Sequence, residues 1–293
     1  MSAKKLGLGT VQWGMKYGVS NACGRTGDPE ISKILSVARE AGLSLIDTAA
    51  LYGEAEKALG QQQLEGFRLV TKTPRFAKGQ ITAHDAATLV ETFETSLGLL
   101  RTDHVYALLV HHVEDVLVSG GEYLIEAMMS LKDRGLVKRV GASIYDSSNL
   151  ESVVERLQPD IVQLPLNVLD QRLVEDGSLD YLRHRGVEIH ARSAFLQGLL
   201  LMPLNQVPDY FMPWRSILDR WHTACDRQGV SPLHAALGYV TSLDAIDYCI
   251  LGVESASHLQ QCLFALQGSN AFDASGLSSS DPGLVNPVNW RLS

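Results

Sequence analysis

The stretch Leu43-Ser44-Leu45-Ile46-Asp47-Thr48-Ala49-Ala50-Leu51-Tyr52-Gly53-Glu54 joins an apolar run to an acid and then to a loop that carries a tyrosine. The run has the composition of a buried strand, and the acid stands where that strand would end. Lys72 and His111 likewise close strand-like runs further along the chain. If these strands lie in one sheet, Asp47, Tyr52, Lys72 and His111 meet at one edge and form a site.

Strand-like runs and helical periodicities alternate along most of the chain. We predict eight strands, at residues 6–11, 43–47, 67–72, 104–110, 137–143, 161–166, 187–193 and 246–252. Helical patterns stand between them. One begins with Asp28 as its cap and ends at Gly42, and another begins at a capping box that starts with Ser148. Eight buried strands that alternate with helices predict a closed parallel (β/α)8 TIM barrel.

A doubly wound open sheet is the alternative fold. It would usually carry a G-x-G-x-x-G motif after its first strand, and the segment at residues 7–12 lacks the third glycine. We therefore expect residues 1–293 to form one barrel domain. Residues 269–293 are rich in glycine, serine and proline, and we expect them to form a C-terminal tail on or near the barrel without a clear helix.

Composition excludes several classes of partner. The 293 residues carry a net charge of −8, whereas a nucleic-acid partner requires basic patches. Neither an apolar signal region nor a run long enough to span a bilayer is present, so we predict a cytoplasmic protein without a membrane partner. The four cysteines form no C-x-x-C pair, and no metal site is expected. A monomer and a homo-oligomer both remain open.

Each of the four site residues also has a structural interpretation when taken alone, such as a helix cap, packing or an ion pair. Together they suit proton transfer. A tyrosine hydroxyl titrates near pH ~10, and a neighbouring ammonium favours its phenolate. Asp47 would keep Lys72 charged and aimed, while His111 could hydrogen-bond a carbonyl oxygen. The arrangement predicts the reduction of a carbonyl group, with Tyr52 as proton donor.

These motifs resemble those of the aldo-keto reductases over most of the chain. The matching pieces are Leu6-Gly7-Leu8-Gly9-Thr10, Asp47-Thr48-Ala49 with Tyr52-Gly53 and Glu56, Thr71-Lys72-Thr73-Pro74, Val110-His111, Val140-Gly141-Ala142-Ser143, Gln163-Leu164-Pro165-Leu166-Asn167, Ser193-Ala194-Phe195-Leu196-Gln197-Gly198 and Leu251-Gly252. The resemblance implies a (β/α)8 fold and a small-molecule carbonyl substrate. It also implies that Asp47, Tyr52, Lys72 and His111 are the catalytic tetrad. The implied cofactor is NADPH/NADP+, with NADH/NAD+ as the alternative.

The resemblance also implies a cofactor site. By their positions in the motifs, Ser143 and Gln163 would hold the carboxamide, and Arg192 would replace an aromatic residue that stacks on the nicotinamide. The loop with Ser193, Leu196 and Gly198 would wrap the pyrophosphate. Gly252 and His258 would contact the adenosine end of the cofactor. The turn at residues 252–258 contains no arginine or lysine, and Glu254 in it would repel a 2′-phosphate. Backbone amides at the helix start could still bind phosphate, which leaves the cofactor choice open.

Trp13, His112 and Trp214 are predicted to contact the substrate, because they lie in loops that follow strands one, four and seven. A sugar or a small aldehyde would suit a pocket of aromatic and polar side chains. His112 should point away from His111, as neighbours do on an extended backbone. The alternative function is a binding or regulatory module on the same fold, with weak or no turnover. Metal-dependent hydrolysis lacks the H-x-H or H-E-x-x-H pattern.

Overall fold

The computed structural model describes residues 3–21, 23–267 and 271–292, and in these ranges eight parallel strands close into a barrel in chain order. The strands are β1 Leu6–Gly9, β2 Leu45–Asp47, β3 Arg68–Lys72, β4 Val105–Val110, β5 Val137–Ser143, β6 Ile161–Pro165, β7 Glu188–Arg192 and β8 Tyr248–Gly252. Pairing of β1 with β8 completes the ring. The predicted (β/α)8 TIM barrel is confirmed.

Helices occupy the connections between strands. The α-helices are α1 Val11–Gly14, α2 Asp28–Glu40, α3 Ala55–Gly60, α4 Ala83–Leu100, α5 Glu114–Leu117, α6 Gly121–Asp133, α7 Leu150–Leu157, α8 Arg172–Glu175, α9 Ser178–His184, α10 Arg215–Gln228, α11 Pro232–Ser242, α12 Ala256–Leu266 and α13 Pro282–Val285. Short 3-10 helices lie at Ala3–Lys5, Leu196–Leu201, Leu204–Gln206, Asp209–Trp214 and Pro287–Asn289. No helix within the described ranges combines the length and the apolar character needed to cross a bilayer.

Local chemistry explains where several helices begin. The first α4 turn forms a capping box in which Asp85 accepts from the backbone of Thr82, and Ser231 caps α11 by accepting from the amide of His234. Two predicted caps were wrong by one residue. The cap of α2 is Gly27 rather than Asp28, and the cap of α7 is Asn149. Ser148 instead bonds to Asp146, so its hydroxyl belongs to the preceding turn.

A polar cluster closes the barrel at the amino ends of the strands. We call it the lower network, and it consists of Arg68, Tyr106, Arg139, Glu188 and Tyr248. Glu188 accepts from the Tyr106 hydroxyl at 2.8 Å and from Arg139 at 2.6 Å. Arg68 donates to the Tyr248 hydroxyl and lies 4.7 Å from the centroid of the Tyr106 ring. These groups satisfy one another, so the lower end is filled by paired side chains.

The C-terminal tail packs against loops at the carboxyl ends of the strands. The amide of Ser279 donates to the carbonyl of Leu169 at 2.8 Å, and Leu284 and Val285 are buried. Contrary to the prediction, the tail contains a short helix, α13, which Asp281 caps by accepting from the amide of Gly283. The predicted tail also includes residues 269, 270 and 293, which lie outside the described residues.

Candidate active site

A cavity of about 460 Å³ opens at the carboxyl ends of the strands. This is the size of many small-molecule sites. The strand exits contribute Gly9 from β1, Asp47 from β2, His111 after β4, Ser143 from β5, Arg192 from β7 and Gly252 from β8. In this fold the carboxyl edge is the usual place for a reaction site, because loop residues from several strands converge there.

Asp47 and Lys72 form a buried ion pair at this edge. Lys72 Nζ lies 2.8 Å and 2.7 Å from the two carboxylate oxygens of Asp47 and 2.9 Å from the carbonyl of Thr48. The side chains of Lys72 and Asp47 are 1% and 5% exposed. Burial lowers the pKa of Lys72 and the charge of Asp47 opposes that change. Because three acceptors surround Nζ, the ammonium form is the one that this geometry satisfies.

Tyr52 lies directly over this ion pair. Lys72 Nζ is 4.9 Å from the centroid of its ring, and the ring of His111 meets it edge-on with centroids 5.8 Å apart. Burial raises the pKa of Tyr52 well above its ordinary value, the charge of Asp47 adds to the rise, and Arg192 opposes it. The phenol therefore keeps its proton at neutral pH and is available as an acid.

The loop that carries Tyr52 is fixed by a close backbone contact. The carbonyl of Tyr52 packs against Gly14 at the end of α1, where a Cβ atom would lie only 1.6 Å from that oxygen. The amide of Glu54 also donates to the carbonyl of Gly14 at 3.4 Å. Only glycine permits this approach. The loop after β1 thus holds the loop after β2 in place, a contact that the sequence motifs do not reveal.

His111 is a neutral histidine with a free ring nitrogen. Burial, followed by the charge of Lys72, lowers its pKa to about 2. Its Nδ1 atom is buried and has no hydrogen-bond partner among the described residues. The ring of His112 stacks on His111 with centroids 5.0 Å apart. The expectation that they diverge was wrong, because the chain bends after β4 and is not extended there.

Six of the predicted cofactor residues line the cavity: Ser143, Arg192, Ser193, Gly198, Gly252 and His258. Gln163 lies beneath the cavity wall, where its Nε2 donates to Asp47 Oδ1 at 2.7 Å and its Oε1 has no partner among the described residues. Leu196 is completely buried, so its side chain contributes to the core and not to the cavity.

Arg192 spans the cavity wall toward the loop after β5. Its guanidinium lies 4.5 Å from the centroid of the Tyr145 ring and donates to the carbonyl of Ile144 at 3.1 Å. Among the described residues that line the cavity, it is the only arginine or lysine. Its fixed charge therefore acts on the β5 side of the site, close enough to Tyr52 to oppose the rise in that residue's pKa.

The three predicted substrate residues do not line the cavity. Trp13 is fully buried beneath it and donates from Nε1 to the carbonyl of Val253 at 3.2 Å, which ties the β1 loop to the β8 loop. Trp214 turns toward the tail and donates to Asp281 at 2.8 Å. His112 stacks on the far side of His111. Aromatic residues in loops pack wherever apolar surface is available. Their positions in the sequence did not reveal whether the side chains point into the cavity.

Contacts between the β1 and β7 loops form part of the cavity wall that the sequence did not reveal. Gln197 Nε2 donates to the Tyr17 hydroxyl at 3.1 Å, and the amide of Val19 donates to the carbonyl of Gln197 at 2.9 Å. A Cβ atom on Gly198 would lie 2.0 Å from the Ser20 hydroxyl. We call these contacts the loop bridge. The glycine at 198 was the available signal, because it marks a close approach as well as a turn.

The start of α12 forms the cavity wall after β8. The amide of Ala256 donates to Glu30 Oε1, which comes from α2, at 2.9 Å. Ser255 caps the same helix by accepting from the amide of His258 at 3.1 Å. Glu254 lines the cavity directly before these residues. The sequence did not suggest a role for Glu30, because the contact joins residues 226 positions apart.

The polar atoms of the site suit an organic cofactor and substrate rather than a metal ion. Buried atoms without a partner among the described residues include His111 Nδ1, Gln163 Oε1 and Gln12 Oε1, which are able to bind amide and hydroxyl groups. Nowhere in the described part of the chain do three or more His, Cys, Asp or Glu side chains form a group that could hold a metal.

Comparison with known proteins gives a consistent result. Residues 5–275 match the profile of the Aldo/keto reductase family. The chain is 24% identical to the aldo-keto reductase YhdN of Bacillus subtilis over 286 residues, which cover 89% of this chain and 84% of that protein. It is also 24% identical to the methylglyoxal reductase DkgB of Salmonella typhi, with 60% of this chain and 66% of that protein covered.

A solved structure has the same fold. The aldo-keto reductase AKR11C1 from Bacillus halodurans, in its holo form, superposes with a TM-score of 0.71 at 21% identity, covering 90% of this chain and 86% of that one. At this identity the superposition shows the fold alone. The profile match extends over most of the chain. It includes all eight strands and the site residues Asp47, Tyr52, Lys72 and His111. The chain belongs to the aldo/keto reductase family.

Proposed function

We propose that the protein is a nicotinamide-dependent oxidoreductase that reduces an aldehyde or ketone to an alcohol, with Tyr52 as the acid. The observation that carries this proposal is the group formed by Asp47, Lys72, Tyr52 and His111 at the cavity floor. Lys72 Nζ lies within 2.8 Å of Asp47 and 4.9 Å from the Tyr52 ring centroid. In this group an ion pair, a phenol and a neutral imidazole face one cavity.

Each residue has a distinct chemical task. His111 is neutral, so one ring nitrogen can donate a hydrogen bond that positions the substrate carbonyl oxygen. Tyr52 is protonated and transfers its proton to that oxygen as the alkoxide forms. Lys72 then stabilises the phenolate that remains, and Asp47 holds the ammonium in place. A reduced nicotinamide, when bound, would supply the hydride for the carbonyl carbon.

The residues on the cavity wall fit such a cofactor. Ser143 and Arg192 would hold the nicotinamide, and the backbone at Ser193 and Gly198 would meet the pyrophosphate. Gly252 and His258 would lie beside the adenosine. The substrate would then occupy the remaining space near Tyr145. Small aldehydes are the proposed substrates, a choice supported by the methylglyoxal reductase named above. A cytoplasmic location and the oligomeric state stay predictions.

The experiment that tests this proposal replaces Tyr52 with phenylalanine. We expect Tyr52→Phe to lose turnover of an aldehyde panel by about 10²–10⁴-fold, which is the usual contribution of a general acid. Dinucleotide affinity, followed by fluorescence titration, should stay within about threefold. Tyr181→Phe is the matched control, because Tyr181 lies on α9 and contacts Arg185 outside the cavity. Turnover by Tyr52→Phe close to that of the control would contradict the role of Tyr52.

A binding or regulatory module is the second candidate, and the acidic start of α12 is the observation that favours it. Glu254 lines the cavity where part of the cofactor would lie, Glu30 accepts from the amide of Ala256 beside it, and carboxylates there oppose anionic ligands. The same titration distinguishes the two candidates. Dinucleotide binding without turnover of any aldehyde or alcohol would support the module, whereas turnover that depends on Tyr52 would support the oxidoreductase.

A further inference from the structure

We infer that the protein selects the dinucleotide without a 2′-phosphate, because Glu254 lines the end of the cavity that receives the adenosine and Glu30 occupies an amide at the start of α12 beside it. This inference rests on the proposed function, since it assumes that the nicotinamide lies beside Tyr52. It assigns to Glu30 and Glu254 a role in choosing between NAD(H) and NADP(H). The sequence resemblance had instead implied the phosphorylated cofactor.

The position of the adenosine follows from the shape of the cavity. The acid Tyr52 and the ring of His111 stand after β2 and β4, so the reacting ring must lie on that side. The wall continues past Gly9 of β1 to Gly252 of β8 and on to His258 of α12. An extended dinucleotide that begins at Tyr52 can continue along this wall. Its adenosine therefore lies against the β8 exit and the start of α12.

The start of a helix is normally a favourable place for phosphate, because its first amides are unpaired and point outward. In α12, which has 11 residues, two of those amides already have side-chain partners. Ala256 donates to Glu30 Oε1 at 2.9 Å and His258 donates to Ser255 Oγ at 3.1 Å. The carboxylate of Glu30 thus occupies the amide of Ala256, and a phosphate could reach that amide only by displacing it.

The charge at this end of the cavity is negative. The hydrogen bond from Ala256 lowers the pKa of Glu30, so this carboxylate is ionised at neutral pH. Glu254 lines the cavity directly. Lys33 pairs with Glu30 at 3.1 Å but is 68% exposed, which leaves its charge to the solvent.

Positive charge in the cavity is found on its other side. Arg192 is the only arginine or lysine among the described lining residues, and its guanidinium is held at Ile144 and Tyr145, after β5. His258 is the only nearby basic group at the α12 start among the described lining residues. A 2′-phosphate would therefore face the carboxylate of Glu254, with that of Glu30 beside it and with no arginine or lysine among the described lining residues at this end. A free ribose 2′-hydroxyl can instead donate a hydrogen bond to a carboxylate such as Glu254.

The test compares the binding of NAD+ and NADP+ by calorimetric or fluorescence titration at fixed ionic strength, a readout independent of turnover. We expect the wild-type protein to bind NAD+ at least about tenfold more tightly than NADP+. In Glu30→Gln the amide oxygen can still accept from Ala256, so the helix cap survives while the charge is removed. The double variant E30Q/E254Q should bring the affinity ratio to within about threefold of one, mainly by tightening NADP+.

Glu40→Gln is the matched control, because Glu40 ends the same helix as Glu30, is exposed, and accepts from Ser36 of its own helix instead of from α12. It should keep the wild-type ratio. Wild-type binding of NADP+ as tight as that of NAD+, or an unchanged ratio in a folded double variant, would overturn the inference. If the wild-type protein binds neither dinucleotide, the proposed function fails and the inference fails with it. The wild-type comparison decides the matter even if the double variant does not fold.

Discussion

The two ends of the barrel both carry tyrosine, histidine and paired charges, yet they differ in how completely these groups are satisfied. In the lower network, Glu188 accepts from Tyr106 and Arg139, and also contacts His190 Nε2 at 2.7 Å. At the upper end, His111 Nδ1 and Gln163 Oε1 have no partner among the described residues, although His190 Nδ1 at the lower end shares that property. The difference between the two unpaired histidine nitrogens is their surroundings, because His111 lines the cavity and His190 does not. An unpaired polar atom next to a cavity is the one that a ligand can satisfy.

A shifted pKa does not by itself separate the two ends. Burial raises the pKa of Tyr106 to about 12, with a further rise from its hydrogen bond to Glu188. Burial also raises the pKa of Tyr52, but that hydroxyl faces the cavity and has the ammonium of Lys72 below its ring. Perturbed groups occur in structural networks as well as in active sites, so geometry has to decide.

The largest expected effect comes from removing the cation at the upper end. Lys72→Met would leave Asp47 buried and unpaired, so we expect a loss of about 3–5 kcal/mol in the free energy of unfolding. Turnover should fall at least about 10³-fold. Urea denaturation and steady-state kinetics measure the two effects.

Lys132→Met is the control for that change, because Lys132 also pairs with an aspartate, Asp160, but with side-chain exposures of 30% and 33%. Its loss should cost less than about 1 kcal/mol and leave turnover unchanged. Equal losses from the two lysine variants would show that the upper pair is an ordinary ion pair.

A smaller effect is expected from Gly14→Ala, which changes no polar group. The new Cβ atom would meet the carbonyl of Tyr52, so the loop has to shift by more than an ångström. A displacement of this size can lower turnover by about 10²-fold. Gly98→Ala is the control, because nothing lies within 4 Å of a Cβ atom there. If Gly14→Ala keeps wild-type turnover, then the β1 loop does not position Tyr52.

The lower network should affect stability alone. Glu188→Gln removes the charge that Arg139 and Tyr106 contact, so we expect a loss of about 1–3 kcal/mol in the free energy of unfolding. Turnover at saturating substrate should stay within about twofold of wild type. Chemical denaturation and steady-state kinetics check the two statements. A marked drop in turnover with an unchanged unfolding free energy would remove the contrast between the two ends.

The smallest effect concerns stability in mild acid. The folded pKa of His111 is about 2, below the value near ~6.5 expected in the unfolded chain. The unfolded chain therefore binds a proton that the folded protein does not, and this residue lowers stability as the pH falls below ~6.5. His111→Gln should make that decline shallower, by at most about 1.4 kcal/mol per pH unit. His84→Gln, at an exposed position, is the control, and an equal change in both variants would refute the assignment.

The barrel could be predicted because its signals are local. Buried strand runs such as β4 repeat along the chain, and the residue at each carboxyl end follows from the strand itself. This is why the amino-acid sequence alone assigns Asp47, Lys72 and His111 to one edge of the sheet. Side-chain direction in loops is not local, so Trp13 and Trp214 were assigned to the pocket although they pack beneath it and against the tail.

The hydrogen-bond partners of the amides at the start of α12 also could not be predicted from the sequence. Glu30 meets Ala256 only because closure of the barrel brings α2 beside α12. Sequence reasoning identified the missing arginine and lysine in the turn at residues 252–258, and it noted that the amides there could bind phosphate. The sequence could not show that the carboxylate of Glu30 already accepts a hydrogen bond from one of these amides, that of Ala256.

The loop bridge has a consequence for the timing of catalysis. Gln197 joins the β1 and β7 loops through Tyr17 and Val19, and it does so with a positive φ of 54° that is unfavourable for a residue with a side chain. A dinucleotide bound beneath these contacts would leave only after they separate. Cofactor exchange would then be a conformational step with its own rate, which can limit turnover even when the proton transfer at Tyr52 is fast.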